Sequence, residues 1–335
     1  MKDSGSHAVE TRRRWLVAGA AWPALAWMGA LRAQANPPLT IAWLEAASQE
    51  RGDWGPKAFH EGMAALGWKL GAQYVLEERF ADGLMARLPA LAQEIAATRP
   101  AVILAGGASV AKAATAAAPT TPVVLFNGDP LAGGLVTNLA RPGGLITGVS
   151  NASSETRQKA IELLVEMMPK LRRVGFLVDS STNTHNGTIL AARQAAEHFR
   201  LEPVIATMAK PEDIKPAFVQ LAKAKVQALV ILPPTWFHSH MATIMASAQA
   251  QRWPAVGVQA TIPRLGGLFS FGHNAPAAAR RSAYYVDRIL KGAKPGDLPI
   301  ERPTTFDLVL NMKTARALGI AIPPSMRVRA TEVIE

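Results

Sequence analysis

Short, unbroken apolar runs recur along this chain, and between them lie stretches with apolar residues at helical spacing. Leu39–Leu44, Ala101–Ala105, Val123–Phe126, Val174–Val178, Ala228–Leu232 and Ala255–Val258 are too short for buried helices and too continuous for strands with one wet face. The intervening segments carry amphipathic stripes: Ala58, Met63, Ala64 and Leu66, ended by Gly67; Leu84, Leu88, Leu91 and Ile95 within 84–97; and Ile161, Leu164, Val165 and Met168 within 156–168, stopped by Pro169. Further strands read at Tyr74–Glu78 and Pro203–Thr207, and further helices at Val110–Ala118, Ile189–Phe199, Pro211–Ala224 and Met241–Gln251. Strands buried on both faces and alternating with helices predict an α/β fold with parallel sheets covered by helices on both sides.

The stretch Pro122–Val149 divides the series. It reads as a buried strand, a polar turn (Asn127-Gly128-Asp129-Pro130), a short helical segment, a Pro142-Gly143-Gly144 break and a second strand, Leu145–Val149. A polar turn beyond the carboxyl end of a strand is where open α/β sheets hold ligands. The second strand then leaves for another unit of similar size, which puts a ligand site beside a crossing between lobes. Near the end the order changes to a strand at Gly267–Phe271, a helix at Ala275–Leu290, a Pro/Gly linker, a strand at Thr305–Asn311 and a helix from Lys313 to Leu318. One extra strand and helix for each lobe makes three interlobe crossings, the connectivity of a Venus-flytrap. The expected limits are 36–149 with 272–303 for lobe 1, and 150–271 with 304–335 for lobe 2. The halves share no residue-level repeat.

Charge and cysteine content narrow the function. The chain has 36 basic and 25 acidic residues, a formal +11. Residues 1–35 supply +3 of it, through Lys2, Arg12, Arg13, Arg14 and Arg32 against Asp3 and Glu10, leaving +8. The basic residues are dispersed, without the clusters of a nucleic-acid surface, so no nucleic-acid partner is expected. The absence of cysteine excludes disulfides, thiolate metal sites and cysteine nucleophiles. Thr11–Leu16 is a basic segment, Trp15–Leu31 an apolar one, and Ala33-Gln34-Ala35 a small-x-small cleavage site. The paired arginines also fit a twin-arginine signal. A cleaved signal peptide ending at Ala35 and a periplasmic mature chain from Asn36 are expected. No later stretch has the roughly 18 unbroken apolar residues of a membrane span.

Several blocks now resemble one family in order and spacing. They are Ala105-Gly106-Gly107, Gly128-Asp129-Pro130, Leu139–Gly144 with Thr147-Gly148-Val149, and Gly266-Gly267-Leu268. Ile289–Pro295, Asp297-Leu298-Pro299, Leu308–Ala315 and the closing Ile322–Ser325, Arg329-Ala330 and Glu332–Ile334 complete the set. Together they resemble the extracytoplasmic substrate-binding proteins of ABC importers whose better-known members bind aromatic amino acids. The likeness spans the whole mature chain. It implies a two-lobed type I periplasmic-binding fold with a small-molecule ligand in the cleft and closure by hinge. It also implies delivery to ABC permease membrane subunits, a monomer and no cofactor. A ligand sensor serving a signalling partner uses the same fold and is the alternative.

The candidate ligand residues lie at strand ends. Gly107, Ala108 and Ser109 open a helix directly after a strand, where free N–H groups suit a carboxylate, or where Ser109 simply caps the helix. The family carries Thr or Ser at the place of Ala108. Asp129 takes a ligand ammonium or hydroxyl, or serves as an Asx-turn partner before Pro130. Glu45 and Ser48 follow the first strand. In the second lobe Ser180, Ser181 and Asn183 donate to an anion or cap a helix. Thr235, Trp236 and Phe237 stand where amino-acid-binding members carry Thr-Asp-Asn, so an acid and an amide give way to apolar faces that stack on a ligand or pack between helices. Gln259 and Thr261 follow the next strand.

Enzyme readings are weaker. Gly107-Ala108-Ser109-Val110-Ala111 lacks the last glycine of a hydrolase elbow, and His273 is its one candidate base. His238-x-His240 has no third metal ligand near it in sequence. Gly143-Gly144 lacks the dinucleotide pattern.

Overall fold

The computed structural model describes residues 37–48, 54–180, 185–232 and 237–335. The expected signal peptide, Ser181, Asn183, Thr235 and Trp236 lie outside them. In the first half the apolar runs become β1 (Leu39–Glu45), β2 (Tyr74–Phe80), β3 (Val102–Gly106), β4 (Val123–Asn127) and β5 (Ile146–Gly148). The helices between them are α1 (Trp54–Ala65), α2 (Leu88–Ala97) and α3 (Ala108–Ala117). The second series is α4 (Ser153–Met167), β6 (Arg173–Asp179), α5 (His185–His198), β7 (Glu202–Met208), α6 (Ile214–Lys223), β8 (Ala228–Ile231), α7 (Phe237–Ala250), β9 (Ala255–Gly257), α8 (Thr261–Arg264) and β10 (Phe269–His273). The chain closes with α9 (Ala275–Leu290), β11 (Phe306–Asn311), α10 (Met312–Leu318), α11 (Pro324–Arg329) and β12 (Glu332–Ile334).

Two sheets result, ordered β2-β1-β3-β4-β5 and β12-β11-β10-β9-β8-β6-β7. The first is parallel throughout. In the second, β10 and β11 run antiparallel, which departs from the all-parallel expectation. The cause is connectivity. The chain leaves the second sheet at the end of β10, builds α9 against the first sheet, and re-enters beside its exit, where Asn274 N–H donates to Thr305 C=O at 3.1 Å. A strand that starts where its neighbour stops has to run the other way.

Alternation along each strand assigns its side chains to two cores. On β1, Ile41 and Trp43 join Phe59 and Met63 of α1 with Ala279 and Val286 of α9, whereas Ala42 and Leu44 join Leu88 and Ile95 with Val110 and Ala114 of α3. On β6, Val174, Phe176 and Val178 pack under α4 and α5, and Leu177 faces α6 and α7. Each sheet is therefore sandwiched. Trp43 stacks on Phe126 with ring centroids 4.0 Å apart, an arrangement worth roughly 0.5–1.5 kcal/mol beyond the area it buries.

Residues 130–144 form successive turns rather than the expected short helix. Asp129 closes the first, its Oδ1 accepting from Ala132 N–H (3.0 Å) and its C=O from Gly133 N–H (2.8 Å). The adjacent glycines 133 and 134 withhold helix propensity there. Three segments pass between the sheets: 149–152, the β10–α9 junction, and 300–305. They are bonded to one another. Ser150 N–H donates to Glu301 C=O (2.8 Å) and Glu301 N–H to Gly148 C=O (2.9 Å). Arg281 of α9 pairs with Glu301 in a bidentate fork, and Arg302 reaches Glu155 at 2.7 Å. Among the described residues no helix is long and apolar enough to cross a membrane.

Candidate functional site

The carboxyl ends of β1, β3 and β4 form one continuous polar rim. Glu45 ends β1 with 9% of its surface exposed, accepting from Ala46 N–H at 3.1 Å. Its carboxyl lies on the backbone of Gly106, where a Cβ would sit 2.1 Å from Oε2. Burial pushes its pKa up from 4.5 to about 7, against the smaller opposing effect of the Ala47 and Ala46 N–H groups. No cation among the described residues neutralises it.

Beside it, Gly107 caps α3 in the left-handed region (φ 139°), and no side chain caps the first amides of the helix, which have no intrahelical acceptor. Ser109 is the second residue of that helix, so the expected cap role passes to Gly107. The methyl of Ala108 packs against Gly133, which turns this candidate toward the next turn. That turn presses so closely that a Cβ at Gly128 would sit 2.9 Å from Ala108 N. Asp129 takes the turn role of its two expected alternatives, and its charge also faces the largely buried Arg157.

The rim continues into the first crossing. Asn127, the last residue of β4, accepts at Oδ1 from Gly128 N–H (2.8 Å) and from Asn151 Nδ2 (3.1 Å). Asn151 N–H donates to Gly128 C=O at 2.9 Å. Arg157 projects from the start of α4. Burial lowers its pKa, and the carboxylate of Asp129 partly restores it. Sequence reasoning did not select Asn127, Asn151 or Arg157. One signal was available: an arginine in the opening turns of a helix opposes the helix dipole, so it needs a reason to be there.

The second sheet presents its own strand ends. Asp179 ends β6 and is buried, and Ser180 N–H donates to Met208 C=O at 3.0 Å, continuing the ladder. Gln259 follows β9 half-buried, and Thr261 starts α8 on the exposed surface. Ser48 is half-buried after β1. Phe237 has no exposed surface and sits in the core with Ile244, Met245 and Leu229, so it packs between elements and offers no face to a ligand. His273 ends β10, and burial lowers its pKa to about 4, opposed by Asp307. Its Nε2 meets no hydrogen-bond partner, so no hydrogen bond joins it to Ser109. Among the described residues no group of three or more His, Asp or Glu is placed to hold a metal ion.

The rim thus combines a buried carboxyl, a guanidinium, two amides and free helix N–H groups, a set suited to binding a small polar molecule. A family model described as "ABC transporter substrate binding protein" matches residues 50–334. A tyrosine-binding protein of Clostridioides difficile (strain R20291) is 22% identical over 269 residues, which are 80% of this chain and 77% of that protein. The crystal structure of an ABC domain from Streptococcus pneumonia in complex with L-Trp is 25% identical with a TM-score of 0.81, covering 89% of this chain and 100% of its own. A conserved domain protein from Vibrio cholerae gives the same identity and TM-score over 88% and 99%.

Proposed function

The chain belongs to the ABC transporter substrate-binding protein family, and from that premise we propose that it is the extracytoplasmic receptor of an importer. It binds an amino acid, or an aromatic or apolar carboxylate, between its lobes and delivers it to the membrane permease. The fold is the two-lobed type I periplasmic-binding fold that the sequence led us to expect. The reading is non-catalytic: the protein binds, closes and releases. We place the lobe limits at 36–149 with 272–303 and at 150–271 with 304–335, the signal cleavage after Ala35, and the working form as a periplasmic monomer.

The observation that carries this reading is the polar rim where β1, β3 and β4 end, directly against the first crossing. A ligand held there touches both the strand ends of one lobe and the segment about which the other moves. Binding that is tighter in the closed state than in the open one supplies the energy of closure, since equal affinity for both shifts nothing. Relatives that bind tyrosine and L-Trp direct the search toward aromatic amino acids.

A thermal-shift screen against amino acids, aromatic acids and small carboxylates tests it. At a hundred times its dissociation constant a true ligand adds about 2.7 kcal/mol to stability. One ligand class is expected to raise the melting point, and Asp129→Ala to abolish the rise. Turnover of an ester or amide with no melting shift for any ligand would contradict the reading.

A further inference from the structure

Two buried polar atoms of opposite kind stand without partners at the first crossing. The Nε–H of Arg157 has no acceptor, and the Oδ1 of Asn151 has no donor. The orientation of the Asn151 amide follows from its neighbours. Its Nδ2 donates to Asn127 Oδ1, and that atom is fixed as an acceptor by Gly128 N–H. The oxygen therefore points the other way. Thr156, next to Arg157 in sequence, donates to Ala152 C=O (2.8 Å) and to Asn151 C=O (3.3 Å), fastening the start of α4 onto the crossing. Asp129, from the turn after β4, is the charge facing the guanidinium.

Leaving a buried donor or acceptor unmade is costly, and more so when the group is charged. Here a cationic donor and a neutral acceptor are both left open within seven residues, Asn151 on the segment joining the lobes and Arg157 on the helix that follows it. A purely structural pair would have satisfied each other or a neighbour. An α-amino acid head group presents the complement: a carboxylate for the guanidinium and an ammonium for the amide oxygen.

We infer that Arg157 and Asn151 bind the head group of the ligand. The Nε edge of Arg157 takes the carboxylate. Asn151 Oδ1 takes the ammonium, and Asp129 orients the guanidinium and adds counter-charge. This rests on the receptor reading above and narrows it to α-amino acids. It also supplies a polar head-group site in a chain where Trp236 and Phe237 replace the acid and amide expected beyond β8.

Calorimetric titration of the purified protein with six probes tests the assignment: L-tyrosine, L-tryptophan, their decarboxylated amines tyramine and tryptamine, and the two acids lacking the amine. Wild-type protein is expected to bind each amino acid more tightly than either truncated partner. Arg157→Met should weaken the amino acids by about 10- to 100-fold, the loss of one charge-assisted hydrogen-bonded contact, and leave tyramine and tryptamine unchanged. Arg157→Lys should recover part of that loss. Equal weakening of amino acid and amine would mean that Arg157 merely supports the fold, and would overturn the inference; so would unchanged tyrosine binding in Arg157→Met. Should that variant fail to fold, equal wild-type affinities for tyrosine and tyramine overturn it just as well. Absence of binding by wild-type protein to these six probes and to every α-amino acid of the melting-point screen would remove the amino-acid receptor reading itself, and the inference with it.

Discussion

Glu45 holds its carboxyl against the Gly106 backbone with only main-chain N–H groups to stabilise a charge, and burial lifts its pKa from 4.5 to about 7. Its folded pKa is raised, so its favourable contribution is complete below about pH 4.5 and is lost as pH climbs through 7. Relative to Glu45→Gln, which is uncharged throughout, the parent should lose about 3 kcal/mol of stability between those limits, a shift of that size multiplied by about 1.4 kcal/mol per unit. Urea unfolding of both proteins at pH 4 and pH 8 measures it, and identical pH dependence would contradict it. His273 works in the opposite sense. Its depressed pKa costs stability as pH falls from 6.5 through about 4, so the difference between parent and variant is the informative quantity. The placing of Glu45, Gly107 and Asp129 on the rim was legible in the sequence because strand-end position marks them. The proposed role of Arg157 and Asn151 was not, since it depends on which buried atoms stay unpartnered after folding. Of the two readings open for Phe237, packing between elements is the one the structure shows. The sequence left them open because an aromatic residue at a strand end carries no sign of which way its ring turns.

At the scale of elements, period and burial carried most of the fold. Every apolar run of the first half became a strand, and α9 has the limits expected from the sequence. What periodicity does not encode is direction and register. The antiparallel β11 follows from where the chain re-enters the sheet, and β12 is too short to leave a pattern. The β4–β5 junction that launches the first crossing offers a test of packing against backbone strain. Gly144 and Gly148 both have positive φ, at 65° and 127°. A Cβ at Gly144 meets nothing within 4 Å, whereas at Gly148 it would lie 2.1 Å from Leu125 O. Gly144→Ala should therefore cost about 1 kcal/mol, from conformation alone. Gly148→Ala should cost about 3 kcal/mol or more, because β5 must move off β4 as well. Chemical denaturation of the pair distinguishes them, and equal losses would show that close approach is not what demands glycine at 148.

For the whole molecule, the three connecting segments are tied to one another, through Ser150, Glu301, Asn274 and Thr305, and to α4 and α9 through Arg302–Glu155 and Arg281–Glu301. Exposed pairs of this kind are worth roughly 0–1 kcal/mol each, so they guide the hinge without locking it. In the receptor reading proposed above, the ligand's contacts with the strand-end rim and the first crossing are in place before closure, since those two are already bonded to each other. The contacts it gains from the strand ends of the second lobe supply the energy of closure. The place where such coupling is proposed was legible in the Pro122–Val149 stretch, where a polar turn and a departing strand lie side by side. Small-angle X-ray scattering of the protein with and without a saturating ligand, chosen by the melting-point screen, tests ligand-driven closure most directly. A smaller radius of gyration is expected with ligand than without. Saturable binding with an unchanged radius would contradict it.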